Sequence, residues 1–252
     1  MKYNLSLSGL ALACLALLGC QQISTDGLLQ AGSSAMRAAT LSDAEVRQVA
    51  DEACTMLDQE NTIAPAKSTY SQRLAKIAKS LGNDVDGVKV NYKVYLTKEV
   101  NAWAMANGCI RVYSGLMDLM TDNEVEGVLG HEMGHVALGH SRKALQTAYA
   151  ASAARDLAAA SSNDAVSALS RSQLGALSEA LVNAQFSQSQ ESDADNFSYE
   201  FLKKRNVNTS GLASAFEKLA AQGGSEGSMF SSHPDSQKRA DTIRQRIAAD
   251  RG

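Results

Sequence analysis

Between residues 42 and 82 the apolar positions fall at helical spacing in two runs. The first, SDAEVRQVADEACTMLDQEN, opens with Ser42 and carries Glu45 three residues on, the pairing of a capping box. The second, STYSQRLAKIAKSLG, runs to Gly82, a residue suited to end a helix. The period then changes. VKVNYKVYLT (88–97) and CIRVYS (109–114) alternate apolar and polar residues, as strands with one buried face do. Between them NAWAMANG closes on Asn107-Gly108, a pair favoured in short hairpin turns. Paired strands over Asn101–Ala106 and Cys109–Ser114, within a small antiparallel sheet, are therefore predicted.

Beyond Gly115 the pattern is helical. Thr121 and Glu124 make a second capping box ahead of EVEGVLGHEMGHVALGH. Residues 143–187, rich in Ala and Ser and interrupted at SSND (161–164), predict two weakly apolar helices. SQESDADNFSYEFLKKRN predicts another, ending in the cations that a helix C-terminus favours. A Gly- and Ser-rich loop, AAQGGSEGSMFSS, precedes the terminal helix HPDSQKRADTIRQRIAAD. With no internal repeats, the expected class is α+β and mainly helical.

The N-terminal pattern is of another kind. One Lys, a short apolar core and small residues before Cys20 have the layout of a secretory signal peptide over residues 1–19. Leu17-Leu18-Gly19-Cys20 resembles the lipobox of bacterial lipoproteins, which implies that Cys20 carries lipid. An ordinary secreted chain with a chance Cys is the alternative. Residues 20–40 are small, polar and aperiodic, and read as a tether; 41–252 read as one domain. Gln21, rather than Asp, follows the Cys, which by the same resemblance implies the outer membrane, facing the periplasm. No later run reaches the roughly 18 apolar residues of a spanning helix.

Composition excludes little, but a net charge of −3 without a basic stripe argues against nucleic acid as a partner. Cys14 leaves with the signal and Cys20 takes the lipid, so Cys54 and Cys109 remain as an even pair. In an oxidising periplasm they read as a disulfide; two separate buried thiols are the alternative.

Candidate chemistry centres on GVLGHEMGHVALGH (127–140), which holds three of the four histidines. His131 and His135 lie one helical turn apart on one face, so both imidazoles can reach a single tetrahedral ion. Glu132 falls beside that ion, placed to take a proton from water without being a ligand. The metzincin spacing fails, because Leu138 and Ser141 stand where Gly and a third His belong. On a continuous helix His140 would sit about 140° round from His135, suited to a supporting or packing role. In ESDAD (191–195), Glu191 and Asp195 are again one turn apart: Glu191 can ligate while Asp195 accepts the free N–H of a ligand imidazole.

These segments resemble the gluzincin metallopeptidases that include the CAAX prenyl protease, HtpX and BepA. NAWAMANGCIRVYSGLM is similar to that family's edge-strand segment, HEMGHVALGH to its active-site helix and FSQSQESDAD to its third-ligand helix. HPDSQKR is similar to its late His-Pro motif, with Arg239 five residues after Pro234. The resemblance implies a zincin-like metallopeptidase domain holding one Zn²⁺ on His131, His135 and Glu191. It implies Glu132 as base, His233 as hydrogen-bond donor to the oxyanion, and Arg239 as a support for His233 or its loop. The strand Asn101, Ala102, Trp103, Ala104 would bind substrate by strand addition. A periplasmic lipoprotein member is the nearest comparison. It implies a zinc endopeptidase acting on unfolded or misassembled envelope and outer-membrane proteins, with an envelope protease or chaperone as companion. A non-catalytic, chaperone-like adaptor using the same groove is the alternative; a structural zinc site is disfavoured, since three protein ligands leave a position open.

Overall fold

The computed structural model describes residues 40–159, 171–222 and 229–250. The expected signal peptide, Cys20 and most of the tether lie outside the described residues, as does the SSND break. Helix α1 (Asp43–Glu60) starts at the expected capping box, with Ser42 and Glu45 each bonding the other's backbone N–H. α2 (Thr69–Leu81) ends at Gly82, whose φ of +83° suits a residue without Cβ.

A two-stranded antiparallel ribbon, β1 (Asp84–Val85) with β2 (Val88–Lys89), precedes a three-stranded sheet of β3 (Asn91–Tyr95), β4 (Ala102–Ala104) and β5 (Cys109–Tyr113). The expected strand over 88–97 thus divides between two sheets. In the larger sheet the order is β3-β5-β4: β4 pairs antiparallel with β5, as predicted, but β3 pairs parallel with it. The sheet is mixed rather than antiparallel, because β5 returns through the centre and has a neighbour on each edge. The β4–β5 turn also differs. Met105 and Cys109 close three residues, Ala106-Asn107-Gly108, and only Gly108 takes a positive φ, +82°.

β5 corrects the alternation as well, for all five of its residues are buried. Arg111, 1% exposed, donates Nε and Nη2 to the two oxygens of Asp58 on α1, at 2.8 and 2.9 Å. That partner lies 53 residues away, so a local pattern cannot reveal it. Nearby, Cys54 and Cys109 form the expected disulfide and tie α1 to the start of β5.

After the short α3 (Ser114–Leu119), α4 (Asp122–Ala137) starts at its Thr121–Glu124 capping box and runs through the middle of the protein, buried on almost every side. α7 (Gln188–Lys204) and α8 (Ser210–Gln222) pack against it, and α10 (Ser236–Ala249) closes over α7 and α8. α9 (Met229–Ser232) is a single turn. α5 (His140–Ala159) and α6 (Arg171–Val182) are the expected Ala/Ser-rich pair, and they join α1 around a second, smaller core with Tyr95, Trp103 and Leu145. Among the described residues, no helix is long and apolar enough to cross a membrane.

Candidate active site

The site is built where α4 meets α7. Two glycines let them meet: a Cβ at Gly130 would stand 2.6 Å from Ser198 Oγ, and one at Gly134 3.0 Å from the carbonyl oxygen of Ala194. Close packing along that face brings the carboxylates of α7 to the histidines of α4. His131 and His135, both fully buried, point their Nε2 atoms at each other across 3.0 Å. Glu191 faces both, its Oε2 3.5 Å from His131 Nε2 and its Oε1 3.5 Å from His135 Nε2.

Each ring has its own support. His131 donates Nδ1–H to Asp195 Oδ1 at 2.8 Å, which leaves its Nε2 as a lone pair. Arg239 holds Asp195 through Nε (2.8 Å) and Nη2 (2.6 Å), and Glu191 through Nη1 (2.7 Å), while its guanidinium lies 4.0 Å over the Phe216 ring. The resemblance implied that Arg239 supports His233 or its loop. In the structure its close contacts are the two carboxylates and the His131 ring, with Nη2 3.1 Å from His131 Nδ1, and it reaches the His233 carbonyl at 3.5 Å.

His140 is also placed differently from expectation. α4 stops at Ala137, Gly139 takes φ +72°, and His140 opens α5. The break turns the His140 ring back, and its Nδ1 lies 3.0 Å from His135 Nδ1. His233 enters the cluster itself, with Nδ1 2.9 Å from Glu191 Oε1 and 3.2 Å from His131 Nε2. Ligand atoms of His131, His135, Glu191 and His233 all lie within 4.8 Å of one another.

This donor set fits a divalent cation. A tetrahedral zinc site with bonds near 2.1 Å separates its ligand atoms by about 3.4 Å, and the first three residues are separated by 3.0 to 3.5 Å. The Nε2 lone pair of His131 faces His135 Nε2 at 3.0 Å, so an ion between them could be held by both rings.

Glu132 is 2% exposed, and its Oε1 has no hydrogen-bond partner among the described residues. Burial pushes its carboxyl up to about 7, outweighing the opposing pull of His233. Burial alone would also raise Glu191, but His233, His135 and His131 around it hold it below the ordinary carboxylate range. Desolvation lowers His131 and His135, which keeps both rings neutral and able to ligate.

β4 is an edge strand, and pairing with β5 turns the backbone groups of Ala102 and Ala104 outward. Three of those groups are already engaged. The Ala102 N–H donates to Asn101 Oδ1 at 2.8 Å, the Ala104 N–H donates to Glu132, and the Ala104 carbonyl accepts from Ser141 Oγ at 3.1 Å. Asn101, Ala102 and Trp103 are buried. One contributor had no assigned role. Phe186, the first residue of FSQSQESDAD, stacks on His135 with ring centroids 3.9 Å apart. Its position before the third-ligand helix was the only signal that could have found it.

Residues 67–247 match Peptidase family M48. The chain belongs to that family. Over 99% of both lengths it is 55% identical to Metalloprotease LoiP and 53% identical to Metalloprotease YcaL, both of Escherichia coli K12. It is 26% identical to the beta-barrel assembly-enhancing protease of Yersinia pestis, over 63% of this chain and 35% of that one. This M48 protein is thus a metallopeptidase, an enzyme that uses a metal to cut protein substrates.

Proposed function

We propose that this M48 metallopeptidase is a zinc endopeptidase, lipid-anchored through Cys20 at the periplasmic face of the outer membrane, that hydrolyses unfolded or misassembled envelope proteins. The observation that carries the chemistry is Glu132, a buried carboxylate with an unpartnered oxygen beside three convergent ligand atoms. His131, His135 and Glu191 would hold the ion, whose contribution when bound is Lewis acidity: it lowers the pKa of water and polarises a carbonyl.

Glu132 then takes the proton of the attacking water at Oε1, its unpartnered oxygen, and returns it to the leaving nitrogen. His233, whose Nε2 lies 3.6 Å from Glu132 Oε1, borders the same space and donates to the oxyanion once its ring leaves Glu191. Asp195 fixes the His131 tautomer, and Arg239 fixes Asp195. Substrate adds as a strand along β4, exchanging the Asn101 and Ser141 bonds for its own main-chain bonds. Recognition through main chain selects extended segments over particular side chains, which suits clients that have lost their fold. A relative named for β-barrel assembly supports the envelope as the setting.

The test is degradation of casein by the purified chain and by Glu132→Gln, with zinc quantified in both. Wild-type cleavage lost in the variant with zinc retained is expected; equal cleavage by both would remove Glu132 from the reaction. Incorporation of labelled fatty acid, lost in Cys20→Ala, tests the anchor; label retained in that variant would exclude Cys20.

A further inference from the structure

A histidine that ligates through Nε2 must carry its remaining proton on Nδ1, and when buried that N–H needs an acceptor. His131 finds one in Asp195. His135 has no carboxylate at its Nδ1; the atom facing it is Nδ1 of His140, 3.0 Å away. His135 is fully buried, and Phe186 lies flat on its ring while also flanking His140.

Two neutral imidazoles sharing one proton between facing nitrogens can hydrogen-bond in two directions. If His140 donates, His135 carries its proton on Nε2, where the candidate ion belongs, and cannot bind it. If His135 donates, its Nε2 lone pair is free. We infer that His140 is a positioning residue for the second histidine of the metal set: neutral and protonated at Nε2, it accepts the Nδ1–H of His135 and thereby fixes the tautomer and tilt of that ring. This inference rests on the reading of His135 as a ligand.

The fold supports the arrangement through the break after α4. Had the helix continued, His140 would project well round from His135. Instead the left-handed turn at Gly139, φ +72°, starts a new helix with His140 at its first residue and swings the ring back over His135. A Cβ at Gly139 would meet nothing within 4 Å, so the glycine is needed for its backbone conformation and not for space.

Two variants of the full chain separate positioning from packing. His140→Asn keeps an acceptor near the Nδ1 position but discards the ring, whereas His140→Phe keeps the ring beside Phe186 but discards the acceptor. Zinc affinity is read by competition with a chromophoric chelator, and folding of the metal-free chains by circular dichroism. His140→Phe is expected to weaken zinc about 10- to 100-fold, and His140→Asn to stay close to wild type. Affinity retained in His140→Phe, or lost equally in His140→Asn with folding intact, would overturn the assignment.

Should either variant fail to fold, nitrogen-15 NMR of the zinc-loaded wild type decides. His140 is expected unprotonated at Nδ1 and protonated at Nε2, and a proton on its Nδ1 overturns the proposal. A wild type that takes up no zinc, or a His135→Ala variant that binds it undiminished, sinks the ligand reading and this inference with it. Zinc uptake that depends on His135, with the wrong His140 pattern, sinks this inference alone.

Discussion

Arg239 grips both oxygens of Asp195 in a bidentate pair, Nε to Oδ2 at 2.8 Å and Nη2 to Oδ1 at 2.6 Å, with both groups buried. The same guanidinium reaches Glu191 through Nη1. One cation thus pairs with both the third candidate ligand and the support of the first. Removing one partner of a buried ion pair leaves an uncompensated charge in low dielectric, at a cost of about 3–5 kcal/mol. Arg239→Met is therefore expected to lower the unfolding free energy of the metal-free chain by roughly that amount. Arg239→Lys should recover only part of it, since an ammonium cannot reproduce the fork. Urea unfolding measures both; a loss below about 1 kcal/mol for the Met variant would assign the network no structural weight.

What the sequence made legible, and what it did not, follows from the range of each interaction. Ser42 with Glu45 and Thr121 with Glu124 act over three residues, so their capping boxes could be read directly and both are formed. The histidine spacing is local too, and it brings the Nε2 atoms together. Burial of Arg111 depends on Asp58 from another element, and the parallel pairing of β3 depends on which edge of β5 it meets; neither leaves a mark in a short window. The break at Gly139 was missed because helical periodicity runs on through Leu138, which the break leaves 45% exposed.

The disulfide closes a loop of 55 residues and joins α1 to β5. In the chain-entropy picture a loop of that length restricts the unfolded chain by about 4 kcal/mol. The Cys54→Ala/Cys109→Ala double variant is expected to melt roughly 8–15 °C lower. Reductant should lower the wild-type midpoint and leave the double variant unmoved. Equal midpoints for oxidised wild type and variant would show that the bond adds no net stability.

Asp58 links the same region to pH. Burial by itself would raise its carboxyl, but hydrogen bonds from Arg111, Lys93 and Tyr95 outweigh that and lower it from 3.8 to about 2. A carboxylate with a depressed folded-state pKa adds stability that is fully present above its unfolded value and is lost as pH falls through its folded one. The window is therefore about pH 4 down to pH 2, and the contribution above it roughly 2 kcal/mol. Unfolding free energies at pH 7, 4 and 2.5 should fall for wild type over the lower interval. Asp58→Asn should start lower and show a flatter slope. Parallel curves for the two proteins would remove Asp58 as the titrating group.

The glycine face of α4 makes a sharper prediction, because its members face different helices. A Cβ at Gly127 would approach Leu212 Cα on α8 to 2.7 Å, and one at Gly134 would meet Ala194 on α7 at 3.0 Å, next to Asp195. Alanine favours a helix by about 1 kcal/mol over glycine, but forced overpacking costs about 1–3 kcal/mol. Against backbone atoms that cannot rotate aside, the clash should win, and both Gly127→Ala and Gly134→Ala are expected to be less stable than wild type. Only Gly134→Ala pushes on the helix that carries Glu191 and Asp195. Its zinc affinity should fall several-fold, while Gly127→Ala, displacing α8, should bind zinc nearly as well as wild type. Chelator competition and urea unfolding on the same preparations separate the two effects. Equal zinc affinity in both variants would mean that the approach of α7 is not what sets the geometry of the histidine cluster.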